Sequence, residues 1–387
     1  MGFGELLIRS YDAEVDRLQV EDLERRCEVG PAQRVFLFTD TLGDPICRIR
    51  NSPMYIMLVA VLDNELVGVI QGTIKLVTLH KHPRDLAKMG YVLGLRVAPV
   101  HRRRGIGLKL VVKLEEWFNE NDVDYAYMAT EKDNEASVNL FTKLGYIKFR
   151  TPAILVNPVS KRMYHLSSTV EIEKLREEEA AAVYRRFMQS TELFPQDIDN
   201  ILRNKLNLGT WVAYPRGESW DYLGSTNGQF PSSWAMLSAW NSGELFKLRL
   251  GKAPTSCFMY TKSCILMDKL LPSCFKLPEM PDFFLPFGFF FIYGFHREGA
   301  ASGKLMRTLC KFVHNLAIKS SKDCKVIVTE VGGGDSVRLH IPHWKLLSFP
   351  DDLWCIKALK CEDKPQNIYD LSKIPSLGTL FIDPREV

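Results

Sequence analysis

YVLGLRVAPVHRRRGIGLKLVVKLEEWFNE, residues 91 to 120, is the stretch that decides the fold. An apolar run from Tyr91 to Ala98 ends at Pro99, and a basic, glycine-punctuated turn follows from His101 to Gly107. The remainder carries apolar residues at helical spacing for about fifteen residues. Leu110, Val111, Leu114, Trp117 and Phe118 fall on one face, opposite Lys109, Lys113, Glu116 and Glu120, so the helix is expected to pack on a sheet. Strand, glycine turn and helix start together make an anion site, because the first-turn N–H groups lack intrahelical partners and the dipole favours negative charge there. Gly105 and Gly107 omit side chains, so phosphates can reach the amides of the turn, Ile106 included. Arg102, Arg103 and Arg104 add guanidinium groups suited to bidentate phosphate contact. The spacing is neither the dinucleotide fingerprint nor a P-loop.

The chain has 387 residues, enough for two ordinary domains. Hydrophobic content of 46% and charged content of 25% describe a globular protein. A net charge of +4 gives no argument for direct nucleic-acid or membrane binding. Nine cysteines without a Cys-x-x-Cys pair read as reduced core thiols of a cytoplasmic or nuclear protein, and no signal-peptide pattern is expected. The most apolar run, Phe283 to Tyr293, contains Pro286 and is too short to span a bilayer; it reads as a buried strand.

Working outward, Leu6 to Arg9 predicts a strand and Asp12 to Arg26 a helix. Residues 28–53 read as irregular, with Phe36-Leu37-Phe38 as a buried anchor. Tyr55 to Leu62 and Leu66 to Val77 form a hairpin about Asp63-Asn64. Residues 78–90 read as an exposed basic loop; His80 and His82 lack a third ligand nearby, so no metal site is expected. Beyond the central stretch come a strand (Tyr125 to Thr130), a helix (Glu135 to Leu144) stopped by Gly145, and one strand from Tyr146 to Val156.

The second half repeats this order. Val170 to Leu175 and Glu177 to Met188 echo the opening strand and helix, Trp211 to Tyr214 and Ser233 to Trp240 read as strands, and Phe289 to Gly294, a turn, a helix and Lys325 to Glu330 echo the central stretch. Thr130-Glu131 returns as Thr329-Glu330 and Ser137-Val138 as Ser336-Val337, each offset by 199 positions (329 − 130). An internal duplication accounts for that register. The second turn, His296 to Gly303, lacks the Arg-x-x-Gly-x-Gly spacing and carries Glu298 where phosphate would be repelled, so it reads as a decayed copy.

Arg102, Gly105 and Gly107 match position for position the Arg/Gln-x-x-Gly-x-Gly/Ala turn of the GCN5-related N-acetyltransferase (GNAT) superfamily, which this stretch resembles. Asn134-x-x-Ser137-x-x-Leu140-Phe141-x-Lys143-x-Gly145-Tyr146 is similar to that superfamily's second motif. Over its whole length the chain looks like the Hookless family of plant probable N-acetyltransferases, through runs such as Leu37 to Arg50, Arg150 to Val159 and the closing IDPRE. The resemblance implies a mixed α/β fold in tandem, with residues 1–165 an intact acetyl-CoA-binding copy and 166–387 a degenerate one. It implies backbone contacts to the pantetheine arm from Leu95, Arg96 and Val97, with an N–H there serving the oxyanion, and further coenzyme contacts from Asn134, Ser137 and the position of Phe141.

Glu131, ending a strand near that gap, is the candidate general base, directly or through water; it could equally be a strand-end carboxylate paired with a loop arginine. His101 is weaker, since Arg102 to Arg104 would disfavour an imidazolium. Phe141 stands where the superfamily has a proton-donating tyrosine, which leaves protonation of the thiolate to water or makes catalysis weak. Two functions follow. One is an N-acetyltransferase using acetyl-CoA, with protein lysine (histone tails included) as preferred amine acceptor, in hormone-controlled differential growth. The other is a non-catalytic, coenzyme-binding scaffold. Self-association as a homo-oligomer is compatible with both.

Overall fold

The computed structural model describes residues 5–27, 37–79, 85–160, 162–221, 230–250, 283, 285–345, 347–349, 352–360 and 380–387. The first half contributes β1 (Leu7–Ser10), α1 (Ala13–Arg26), β2 (Leu37–Asp40), β3 (Met54–Leu62), β4 (Glu65–Thr78), β5 (Leu86–Val97), α2 (Ile106–Glu120), β6 (Tyr125–Glu131), α3 (Glu135–Lys143), β7 (Ile147–Arg150) and β8 (Ala153–Pro158). The second contributes β9 (Val170–Leu175), α4 (Glu177–Met188), α5 (Ile198–Leu202), β10 (Asn207–Pro215), β11 (Trp234–Asn241), β12 (Lys247–Leu250), β13 (Gly288–Glu298), α6 (Ser302–Ser320), β14 (Cys324–Val331) and β15 (Asp352–Ala358).

Two mixed sheets carry the fold: β1-β3-β4-β5-β6-β15-β7, and β8-β14-β13-β11-β10-β9. The β3–β4 hairpin turns where the sequence places it, with Asp63 and Asn64 both left-handed (φ 50° and 66°), as a two-residue primed turn requires. Each sheet has one parallel pair, β5–β6 and β13–β14, and each pair is bridged by a long helix, α2 and α6. That is the strand–helix–strand unit twice over, a connection that is right-handed as a rule. Two further features recur. A left-handed glycine, Gly94 (φ 62°) in β5 and Gly294 (φ 64°) in β13, makes a bulge against β4 and β11. Parallel pairing then stops, after Val92↔Met128 in one sheet and Phe291↔Val328 in the other, so the strands splay.

Three apolar clusters fill the layers. One lies under α2 and α3 (Leu110, Leu114, Phe118, Phe141), and one under α6 (Met306, Leu309, Val313). The largest joins the remaining face of the first sheet to that of the second, gathering Leu23, Tyr127, Trp354, Trp234, Trp240, Tyr293 and Phe381.

The structure corrects several sequence readings. Residues 86–90 open β5, where they pair with Ile74 to Thr78 of β4; His80, His82 and Pro83 lie outside the described residues. Leu37 and Phe38 belong to a strand, β2, paired with β12. The single strand expected from Tyr146 to Val156 is two: β7 closes the first sheet, and after Thr151-Pro152 the chain crosses to the second, where β8 pairs with β14. In return β15, from the second half, sits between β6 and β7. The strand expected from Phe283 begins at Gly288.

Candidate active site

The bulge places Gly94 and Leu95 opposite Ile70, while Arg96 and Val97 rejoin β4 at Val69 and Gly68. Their other edge faces the gap left by β6. Two carbonyls in this segment are met by arginines, Leu95 O by Arg96 (3.1 Å) and Val97 O by Arg102 (3.2 Å). Arg102 therefore lies folded along the strand end, and Arg96 also pairs with Glu24 (3.2 Å).

After Val97 a 3-10 turn (Pro99–His101) leads into the basic loop. Arg103 is left-handed (φ 65°) and so is Gly105 (φ 79°), which begins α2. No side chain caps α2, and among the described residues no protein acceptor meets the amides from Arg103 to Leu108. A Cβ at Gly105 would meet nothing within 4 Å, and one at Gly107 would come no closer than 3.6 Å to Leu140. Arg102, Arg103 and Arg104 are exposed, with Arg104 against His101 (3.4 Å). Uncapped amides, open space and three guanidinium groups fit a diphosphate.

Across the gap, Glu131 ends β6, half-buried and opposite Asp352 of β15. Asn134 caps α3, its side chain accepting from the Ser137 amide at 3.2 Å, which leaves its NH₂ for a ligand. Phe141 is 2% exposed and meets Tyr146 edge-on (5.0 Å) beneath α2. Burial and the charge of Glu115 push the Tyr146 phenol well up, so it is a poor acid.

The Acetyltransferase (GNAT) family profile matches residues 17–146, which run from α1 through α3. The chain is 47% identical over 406 aligned positions to "Probable N-acetyltransferase HLS1" of Arabidopsis thaliana, covering 98% of this chain and 99% of that protein. It is 32% identical to "Acetyl transferase GW6a" of Oryza sativa subsp. japonica, covering 98% and 97% respectively. The chain belongs to the GNAT acetyltransferase family. Among solved structures, N-myristoyltransferase of Saccharomyces cerevisiae shares the fold at 9% identity and TM-score 0.56, covering 91% of this chain and 79% of that one.

In this GNAT acetyltransferase the second sheet's counterpart of the site is closed by its own side chains. The position a Cβ would take at Gly303, in the first turn of α6, is occupied by the His340 imidazole, and Gly299 packs against Ser232 and Ser233. The Ala301 amide donates to Ser233 Oγ (3.1 Å). Thr329 Oγ1 donates to the Ile292 carbonyl at 2.7 Å inside the splay, and the Tyr184 hydroxyl fills the space beside Gly294.

Between the two sheets the C-terminal segment builds a charged cluster that sequence reading missed. Lys75 of β4 pairs with Glu386 (2.8 Å) and Asp383 (3.4 Å), and Tyr127 donates to Glu386 (2.5 Å). Arg385, 3% exposed, bonds Asp383 and Asp197 (2.7 and 2.6 Å). These residues come from distant parts of the sequence; the only available signal was the density of charge in the closing IDPRE.

Proposed function

We propose that this GNAT acetyltransferase moves an acetyl group from acetyl-CoA to a primary amine, with protein lysine, histone tails included, as the preferred acceptor. Residues 1–165 supply the coenzyme site and 166–387 the far wall of the acceptor groove. The observation that carries the reading is the uncapped start of α2, with its free amides from Arg103 to Leu108, lying directly beyond a splayed strand. The fold neighbour crystallised with myristoyl-CoA supports an acyl-CoA as donor.

In this reading the amides from Arg103 to Gly107, with the Arg102 guanidinium beside them, hold the diphosphate, and the pantetheine arm lies along Leu95, Arg96 and Val97. An N–H of that segment, Leu95 first, stabilises the developing oxyanion, an effect worth roughly 3–4 kcal/mol in acyl transfer. Glu131 receives the acceptor's proton, directly or through water. Asn134 and Ser137 border the arm, and Phe141 shapes the floor beneath it. The thiolate takes its proton from water, because Phe141 has none to give. The setting implied by the Hookless resemblance is hormone-controlled differential growth, in the cytoplasm or the nucleus.

Calorimetry with acetyl-CoA, followed by thiol release on lysine peptides, tests the proposal. One coenzyme per chain is expected, and Gly105→Glu should abolish that binding while leaving the fold intact. Wild-type affinity in that variant would defeat the loop assignment. A second reading, a coenzyme-binding scaffold without turnover, is favoured by Phe141 alone; binding without thiol release on any acceptor would support it.

A further inference from the structure

Among the described residues, buried acids come with cations except at one pair. Asp16 pairs with Arg9 (2.6 Å), Glu24 with Arg96 (3.2 Å), Glu115 with Lys357 (2.6 Å) and Asp383 with Arg385 (2.7 Å). Asp352, 8% exposed, and Glu330, half-buried at the end of β14, have no ion-pair partner among the described residues. An unpaired buried charge is costly, so such a group either neutralises itself or awaits a partner. Trp354 Nε1 meets Glu330 Oε1 at 2.9 Å and also bears on Asp352, which has the Leu353 amide as a further donor. Burial raises both carboxyls, Asp352 to about 6 and Glu330 well above the ordinary range, and the charge of Asp352 raises Glu330 further.

Two independent observations point to a ligand there. Tyr91 of β5 stands one residue before the last β5–β6 pair and is 8% exposed. Its hydroxyl has no hydrogen-bond partner among the described residues, and it lies in the field of Glu386, Glu330 and Asp352, opposed by that of Arg48. Glu386, whose side chain is 7% exposed, gives one oxygen to Lys75 and Tyr127 and leaves Oε1 buried and unpartnered. A phenol and three carboxyl groups thus converge beside the splay with too few donors, which is the complement of a group rich in N–H.

We propose that Glu330 and Asp352, one from each sheet, receive a primary alkylammonium, the chemistry of a lysine side chain, and take its first proton. The step deepens the acetyl-transfer reading and rests on it. With one proton shared between them, the pair carries a single negative charge that binds R–NH₃⁺. Transfer of a proton neutralises the pair and frees the amine lone pair. The C–N bond then forms as the C–S bond breaks; the nitrogen's second proton goes to Glu131, the departing sulfur takes one from water to become CoA thiol, Glu131 returns its proton to the hydroxide left behind, and the pair releases its own to solvent. Glu131 lies directly opposite Asp352 in β6.

The test uses the full chain saturated with CoA. N-acetyl-lysine methylamide is titrated by calorimetry, with its norleucine isostere as the uncharged control. Saturable binding of the lysine probe, at least tenfold tighter than the isostere, is expected. Glu330→Gln and Asp352→Asn should each weaken the probe at least tenfold and leave CoA affinity within twofold. Equal binding of the two probes, no saturable binding, or unaltered affinity in both folded variants overturns the proposal; the first two need no variant. Absence of CoA binding would instead fell the coenzyme reading, and titration of the free chain would still decide the pair.

Discussion

Burial at Asp352 has a definite sign. Its carboxyl is raised from 3.8 to about 6, so the folded protein holds a proton that the unfolded chain releases. Stability from that group is full below pH 4 and falls as the pH rises through 6, by roughly 3 kcal/mol. Asp352→Asn, which removes the titration, should therefore raise the melting temperature at pH 8 and change it little at pH 4. A melting curve that drops equally at both would contradict this. Asp383 runs the other way: despite burial, Arg385 and Lys75 hold its carboxyl below the ordinary range. Its stabilisation is present above about pH 4 and is lost as the pH falls below that. Arg385→Ala would leave Asp197 without its ion pair and Asp383 with Lys75 alone, and a loss of about 3 kcal/mol in denaturant unfolding is expected. The glycine turn and the helix start at Ile106 could be read from sequence because their signals are local. Glu330, Asp352 and Tyr91 could not, since what sets them apart is an absent cation and a shared indole, and both are properties of packing.

Elements were legible where their signals are local. Asp63-Asn64 announced a hairpin, and Gly145 (φ 89°) stopped α3. His80, His82 and Pro83 make residues 78–90 look like loop, yet Lys88 lies in β5, where its amide donates to Asp124 (2.8 Å). Pro152 was the one sign that Tyr146 to Val156 is two strands, and nothing in the alternation of apolar residues showed that they belong to different sheets. The bulge in β5 is the element that opens the splay. Gly94 is left-handed, and a Cβ there would come within 3.3 Å of Gln71. Gly94→Val should cost about 1–3 kcal/mol, and it should weaken acetyl-CoA more than tenfold in calorimetry. Near-native affinity would show that the splay does not depend on the bulge. At α3, Asn134→Ala loses the cap, about 1 kcal/mol, read as faster amide exchange in Ser137 and Val138.

At the scale of the molecule, the two halves exchange strands: β8 completes the second sheet and β15 separates β6 from β7 in the first. The 199-residue register visible in the sequence is matched by two bulges, two parallel pairs and two splays. The exchange itself left no trace in the sequence, because β15 has no local motif. Unfolding should consequently be one cooperative transition, and residues 1–165 expressed alone should lack a stable first sheet until 166–387 is supplied. Two separate calorimetric transitions would contradict that coupling. His340 and Thr329 close the second splay, so the whole chain should take up one coenzyme. The most direct test is a crystal structure with acetyl-CoA. The diphosphate is expected on the amides from Arg103 to Gly107 and the thioester beside Leu95, with the second splay still filled. A coenzyme bound elsewhere, or a turn folded against protein with the crevice empty, would contradict it.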